Sequence, residues 1–333
     1  MSEESYYQRC NKMTVSRREI VQADEVGYYH CVARCVRRAF LCGVDEYSGC
    51  SYEHRREWIR QRLCFLMEVF AIELVSYAVM SNHLHSLIRI RPDLTLRWSD
   101  KEVATRWRAL FPLRWHKGKV ATPNAVEIRA ITAQPELVSE YRKRLCSVSW
   151  FNRCLNERIA RMANAEDECG GRFWEGRFKC QRVVDTGAIL TCSAYIDLNP
   201  IRAGLAKTPE RSDYTSIQDR IRRHVGRMQS CSFLPPLLSV EEVSDGYLSI
   251  EDYLTLVDTT GRMIVRGKCV IPENLTPILS RIGVNPDQLL NTTVNYRKLF
   301  RRIVGPVDSL RRAAKEIGKC WLHGVRNAYA VFG

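Results

Sequence analysis

The sequence predicts an α+β fold: an antiparallel sheet with helices packed on it, followed by a C-terminal helical domain. Three observations carry that expectation. Runs of strand length and composition stand at 28–36, 72–80, 84–90 and 177–184. Between the first two, Ile59, Leu63, Leu66, Met67 and Phe70 recur at the spacing of an amphipathic helix over 52–70. The third is charge: 231–261 holds six acids and no Lys or Arg, whereas 262–333 holds thirteen Lys or Arg against four acids. That asymmetry marks a boundary.

Taken in order, residues 1–26 read as a polar tail. Residues 1–18 have no signal-peptide core, and no apolar run approaches the length of a membrane span, so a soluble, intracellular protein is expected. The strand at 28–36 carries His30, for which two readings stand: a residue near the site, and, preferred, a structural one. The helix over 52–70 places Arg55, Arg56, Arg60 and Arg62 among its polar positions. Residues 91–170 form a long helical insertion in which Arg97, Trp98, Arg106, Trp107, Arg108, Arg114, Trp115 and Lys117 interleave stacking aromatics with cations, a pattern suited to single-stranded nucleic acid. The competing reading makes the tryptophans core, and Trp107 is expected there; Arg142, Lys143 and Arg144 read equally as a solvated face. Beyond 262, a helix start at Asn285-Pro286, a continuation over 294–303 and an amphipathic basic helix at 309–321 suggest a grip on DNA phosphates.

With 333 residues the chain can bury one good core and carry an additional domain, and its formal charge of +14 points to a polyanionic partner. Fourteen cysteines without a C-x-x-C pair read as reduced, mostly buried small residues. Cys31, Cys35, Cys42 and Cys50, with His54 nearby, are of zinc-ligand type, but structural zinc sites pair ligands two to four residues apart.

The chemistry concentrates in two stretches. Tyr77-Ala78-Val79-Met80-Ser81-Asn82-His83-Leu84-His85-Ser86-Leu87-Ile88-Arg89-Ile90 reads as two short strands joined by a tight turn near Asn82. Side chains alternate along a strand, so His83 and His85 share a face. Two adjacent imidazoles are a partial ligand set for a divalent cation; two polar residues on the solvent face of an edge strand give the same pattern. Downstream, Asp185 or Thr186 caps a helix that runs through Ile189, Leu190 and Ile196 until Asn199-Pro200 stops it. Tyr195 and Asn199 stand one turn apart on that helix and share a face. Against the histidine pair they would supply a nucleophile and a third metal ligand.

The H-x-H strand followed by Tyr195-Ile196-Asp197-Leu198-Asn199-Pro200-Ile201-Arg202-Ala203-Gly204-Leu205 resembles the single-tyrosine HUH transposases, most closely the REP-associated tyrosine transposases of bacteria. Gly171-Arg172-Phe173-Trp174-Glu175-Gly176-Arg177-Phe178 is similar to that family's aromatic-basic stretch before its last core strand. The resemblance spans roughly 27–215. It implies a ferredoxin-like HUH nuclease core over 27–220, with the insertion at 91–170, an acidic linker over 221–261 and a basic helical DNA-binding accessory domain over 262–333.

It further implies that Tyr195 attacks single-stranded DNA, forming a 5′-phosphotyrosine and freeing a 3′-hydroxyl, and that His83, His85 and Asn199 hold Mg²⁺ or Mn²⁺. The implied partner is single-stranded or hairpin DNA with REP-like palindromes, bound by a monomer or homodimer in the bacterial cytoplasm at the nucleoid. Arg172, Trp174, Arg177, Lys179 and Arg202 are the candidate DNA contacts of the core, with Glu175 orienting one of them. Arg106 and Arg108 in the insertion and Arg311 and Arg312 near the C-terminus complete the candidates. Ser81 stands where other members have proline, which changes the turn and not the ligands. Two alternatives stand beside this reading. One is a protein that binds hairpin nucleic acid without cutting. The other is a metal phosphodiesterase that uses the histidines with activated water, in which Tyr195→Phe would leave cleavage intact.

Overall fold

The structure, a computed structural model, describes residues 20–36, 40–45, 48–116, 119–224, 234–235, 250–265, 303–316 and 328. Strand β1 (Gly27–Arg34) leads to helix α1 (Arg55–Val69), and the chain returns as the hairpin β2 (Ile72–Val79) and β3 (His83–Ile90). Helices α2 (Pro92–Arg97), α3 (Asp100–Leu110), α4 (Ala125–Thr132), α5 (Pro135–Arg144) and α6 (Val148–Glu166) follow, with a small ribbon of β4 (Trp115–His116) and β5 (Lys119–Val120) among them. Then come β6 (Lys179–Val183), α7 (Thr186–Asp197), α8 (Asn199–Arg202), α9 (Ser216–His224), α10 (Ile250–Val265), β7 (Ile303–Val304) and α11 (Val307–Glu316). The fold class is the expected α+β. None of the helices formed by the described residues is long and apolar enough to cross a membrane.

The sheet runs β2-β3-β1-β6-β7. The first strand therefore lies in the middle, antiparallel to β3 on one side and to β6 on the other, while β7 pairs parallel to β6. Alternation sorts the side chains into two cores. On one face Tyr29, Cys31, Ala33, Leu84 and Ile88 pack with Ile59, Leu63 and Leu66 of α1 and Phe151, Leu155 and Ile159 of α6. On the other, Tyr28, Ala78, Leu87 and Val183 pack with Ala188, Ile189, Cys192, Tyr195 and Ile196 of α7. A sheet covered on both faces fixes its register, because a one-residue slip would exchange the two sets.

Residues 250–265, placed by sequence partly in an acidic linker, form helix α10, whose Tyr253, Leu256 and Val257 join the second core. Residues 303–316, placed in a basic accessory domain, supply the fifth strand, and α11 adds Val307, Leu310, Ala313 and Ala314 to that same core. The remainder of 262–302 and 317–327, with Asn285-Pro286, lies outside the described residues, as do the tail at 1–19, Lys117 and the acids at 241, 242 and 245.

Arg55 corrects the helical-wheel expectation. Instead of a solvated position it is fully buried, donating to Glu166 (2.6 Å), to the Phe40 carbonyl (2.7 Å) and to Asp167. Its neighbours on α1 are also structural: Arg56 donates to the Val79 carbonyl and Arg62 to the Cys154 carbonyl. In the insertion, Trp107 is core, stacked on Tyr141 at 4.0 Å between centroids. Arg142 ties the Trp98 carbonyl and Asp100 together. Cys31, Cys35 and Cys42 are buried, with the Cys35 and Cys42 thiols donating to the carbonyls of Asn82 and Met80. Burial pushes the Cys42 thiol up to about 12, so it stays protonated and inert.

Candidate active site

The hairpin turn begins the site. Met80 N–H bonds the His83 carbonyl at 2.9 Å, closing the turn. The loop after β1 then clasps it from outside: Cys35 N–H donates to the Asn82 carbonyl, and Leu41 and Cys42 N–H both donate to the Ser81 carbonyl. Those bonds hold the start of β3, so His83 and His85 emerge from a fixed backbone. Their ring centroids are 4.7 Å apart.

Helix α7 brings the tyrosine. Asp185 caps it by accepting from Ala188 N–H at 3.0 Å, as the sequence suggested. The Tyr195 ring lies edge-on to His85 at 5.6 Å and to His30 at 6.0 Å. At Asn199-Pro200 the helix breaks for one residue and re-forms as the short α8, because proline is tolerated in the first turn of a new helix. The Asn199 amide nitrogen donates to the Tyr195 carbonyl at 2.7 Å, which leaves its Oδ1 as an acceptor. Thus His85 touches both His83 and Tyr195, and Asn199 is tied to the tyrosine backbone.

Two residues on, Asp197 points away from the histidines and pins α7 in place. It is fully buried and accepts from Ser216 Oγ, Ile217 N–H (3.1 Å) and Tyr253 Oη (2.6 Å). Burial raises its pKa, opposed by the nearby Arg220 charge and by those bonds.

Arg202, on α8, lies over the Tyr195 ring with its guanidinium carbon 5.3 Å from the centroid. Its Nε and Nη2 are buried without a hydrogen-bond partner, and burial pushes its pKa down to about 10. It remains cationic at neutral pH. Lys179 is exposed and in register with Val32, hence on the histidine face beside His30 and His85. The other candidates stand elsewhere. Trp174 and Arg177 line a groove of about 460 Å³ with Trp150 and Asn156, on the α6 side of the sheet. Arg172 is exposed and donates to the Glu175 carbonyl. Arg106 is occupied by Glu102 and by the Glu68 and Val69 carbonyls at the end of α1, so a phosphate would compete with these. Arg108 lines a cavity with Arg62 and Phe111, and Arg311 and Arg312 are exposed on α11.

One family comparison, one protein comparison and one structural comparison bear on the chain. No family model matches it, and no curated protein does. A solved structure described as a REP-associated tyrosine transposase bound to a REP hairpin aligns with 70% of this chain and 95% of its own, at 12% identity and a TM-score of 0.38.

Arg34, His30 and Asn82 complete the site. Arg34 is exposed, directly across from His83 on the same face of β1. His30, taken as structural, is buried within the constellation: its Nε2 is 3.0 Å from His85 Nδ1 and its Nδ1 is 2.9 Å from Gln181 Oε1. Asn82 Oδ1 is 2.7 Å from His83 Nδ1. The alternation His30, Val32, Arg34 was readable along β1; that β1 lies between β3 and β6 was not.

Proposed function

We propose that this protein is a metal-dependent single-stranded DNA endonuclease and strand transferase that recognises hairpin DNA with REP-like palindromes and cuts it through a 5′-phosphotyrosine. The observation that carries this reading is the approach of the Tyr195 ring to the H-x-H pair, 5.6 Å from His85, across elements far apart in sequence. Charge supports it: Arg34 and Lys179 are exposed on the histidine face, placed to meet the phosphates of a strand entering there.

In this reading Tyr195 Oη attacks the scissile phosphorus and the P–O3′ bond breaks. The proton that the tyrosine hydroxyl loses ends on the departing 3′ oxygen, while the 5′ side stays on the tyrosine as an aryl phosphate ester. Rejoining runs the same exchange backwards without ATP, since the ester keeps the energy of the broken bond. Arg202 offers two buried, unpartnered nitrogens that a non-bridging phosphate oxygen would satisfy. His83, His85 and Asn199 Oδ1 would hold the cation. In this reading the third protein ligand is the Asn199 amide oxygen, a donor type that suits Mg²⁺ or Mn²⁺. When bound, such an ion supplies charge neutralisation and polarisation of the scissile phosphate.

The test is cleavage of a labelled single-stranded hairpin with Mg²⁺ or Mn²⁺. A covalent protein–DNA band is expected from the wild type and from neither Tyr195→Phe nor His83→Ala/His85→Ala. Cutting that survives Tyr195→Phe would make water the nucleophile. A second reading, a protein that binds hairpins without cutting, is favoured by one observation: Tyr195 is only 5% exposed. Tight hairpin binding without a covalent band under either metal would establish it.

A further inference from the structure

We propose that Gln181 and His30 form a hydrogen-bonded relay that sets the tautomer of His85 and presents its Nε2 lone pair as a metal ligand. This rests on the metal reading above. A glutamine Oε1 only accepts hydrogen bonds, so the 2.9 Å contact requires the proton of His30 on Nδ1. A neutral imidazole with its proton on Nδ1 offers Nε2 as an acceptor. His85 Nδ1, 3.0 Å away, must then be the donor. With its proton on Nδ1, neutral His85 carries its lone pair on Nε2. One amide, two strands away from the H-x-H strand, thereby decides which atom of His85 can bind a cation.

The second histidine obeys the same logic through a different residue. Asn82 Oδ1 lies 2.7 Å from His83 Nδ1 and accepts a hydrogen bond from its N–H, which leaves the His83 lone pair on Nε2 as well. Both imidazoles are thus set as Nε2 ligands by partners on their Nδ1 atoms, the arrangement in which a second layer of hydrogen bonds orients and strengthens the ligands. The geometry is rigid at the inner end. His30 and His85 are buried, their rings are within 13° of parallel with centroids 5.3 Å apart, as an end-to-end N–H···N bond requires, and β1 sits between β3 and β6 with His30 in register with both Leu87 and Gln181. His30 is therefore a positioning residue: it acts through His85.

Two readouts test this, one of them without metal. Long-range ¹H–¹⁵N correlation spectra of the metal-free protein report the tautomer of each histidine; seven are present, so assignment by substitution is practical. The relay requires His85 to carry its proton on Nδ1 in the wild type and to lose that preference in Gln181→Met and His30→Phe. Mn²⁺ titration followed by electron paramagnetic resonance should show binding about 10- to 100-fold weaker in His30→Phe, the usual effect of removing such a partner. In His30→Gln the amide oxygen takes the place of the ring Nε2 and accepts from His85, so affinity returns; a loss of folding would not be rescued this way. A wild-type His85 protonated on Nε2, or Mn²⁺ affinity unchanged in His30→Phe, overturns the relay. If the wild type binds no Mn²⁺ while His85 still shows the relayed tautomer, the relay stands and the metal reading falls.

Discussion

Replacing Asp197 by alanine removes one acceptor from three buried donors: the Ser216 hydroxyl, the Ile217 N–H and the Tyr253 hydroxyl. Ser216 Oγ can turn to the Tyr77 carbonyl at 3.2 Å, but Ile217 N–H and Tyr253 Oη are orphaned at about 1–3 kcal/mol each, and a nearby buried cation, Arg220, loses its counter-charge. Against that stands the relief of removing a buried carboxylate whose ionisation the site already opposes. The net expected loss is about 3–5 kcal/mol, a large part of the stability of an ordinary domain. Asp197→Asn keeps the volume and one acceptor and should lose about 1–2 kcal/mol. The assay is urea denaturation followed by circular dichroism. A double-mutant cycle with Tyr253→Phe should return a coupling energy of about 1–2 kcal/mol. A loss below about 1 kcal/mol for Asp197→Ala, or zero coupling to Tyr253, would refute the claim that this carboxylate fixes the tyrosine helix.

Asp185→Asn keeps the cap of α7 while removing a carboxyl that burial pushes up to about 6. A folded pKa above the unfolded value near 4 means that the fold binds the proton more tightly, so stability rises as pH falls through about 6 and the gain is complete below about 4. The substitution should therefore stabilise by up to about 3 kcal/mol at pH 8 and by little at pH 3, read as the difference in melting curves between the two pH values. Gly305→Ala would place a Cβ 2.5 Å from Val184 Cγ2 and 2.7 Å from Asp185 Oδ2, so a loss of about 1–3 kcal/mol is expected in the same melts. Arg34→Ala with Lys179→Ala should weaken hairpin binding across sequences and flatten the slope of log affinity against log salt by roughly 1–1.5 if both meet single-strand phosphates. An unchanged slope would place the DNA elsewhere.

The parts legible in sequence were those with local signatures. The H-x-H hairpin followed from alternation, and the Tyr195–Asn199 pairing on one turn from helical spacing. Asp185 as cap needed only its position before an apolar helix. What escaped depends on the order of strands in space. His30 is an ordinary strand residue until β1 is placed between β3 and β6, which no local pattern states. Arg55 occupies a polar position on its helix, and its burial depends on Glu166 and Asp167 at the far end of the insertion. Arg106 looked available for DNA because its acceptors are mostly backbone carbonyls, and these leave no trace in a charge pattern. A two-residue strand such as β7 is too short for periodicity to detect.

That short strand gives the protein a timetable. Every side chain of the constellation has been synthesised once Arg202 is made, yet among the described residues the outer edge of β6 is closed by Ile303 and Val304, through a bond such as Val184 N–H to the Val304 carbonyl at 3.1 Å. At synthesis rates of about 5–20 residues per second, roughly 5 to 20 seconds separate the two events. During that interval the strand bearing Gln181 is an open edge, the kind of surface that recruits foreign strands. A nascent chain thus carries all the chemistry of the site before it owns the sheet that holds that chemistry still.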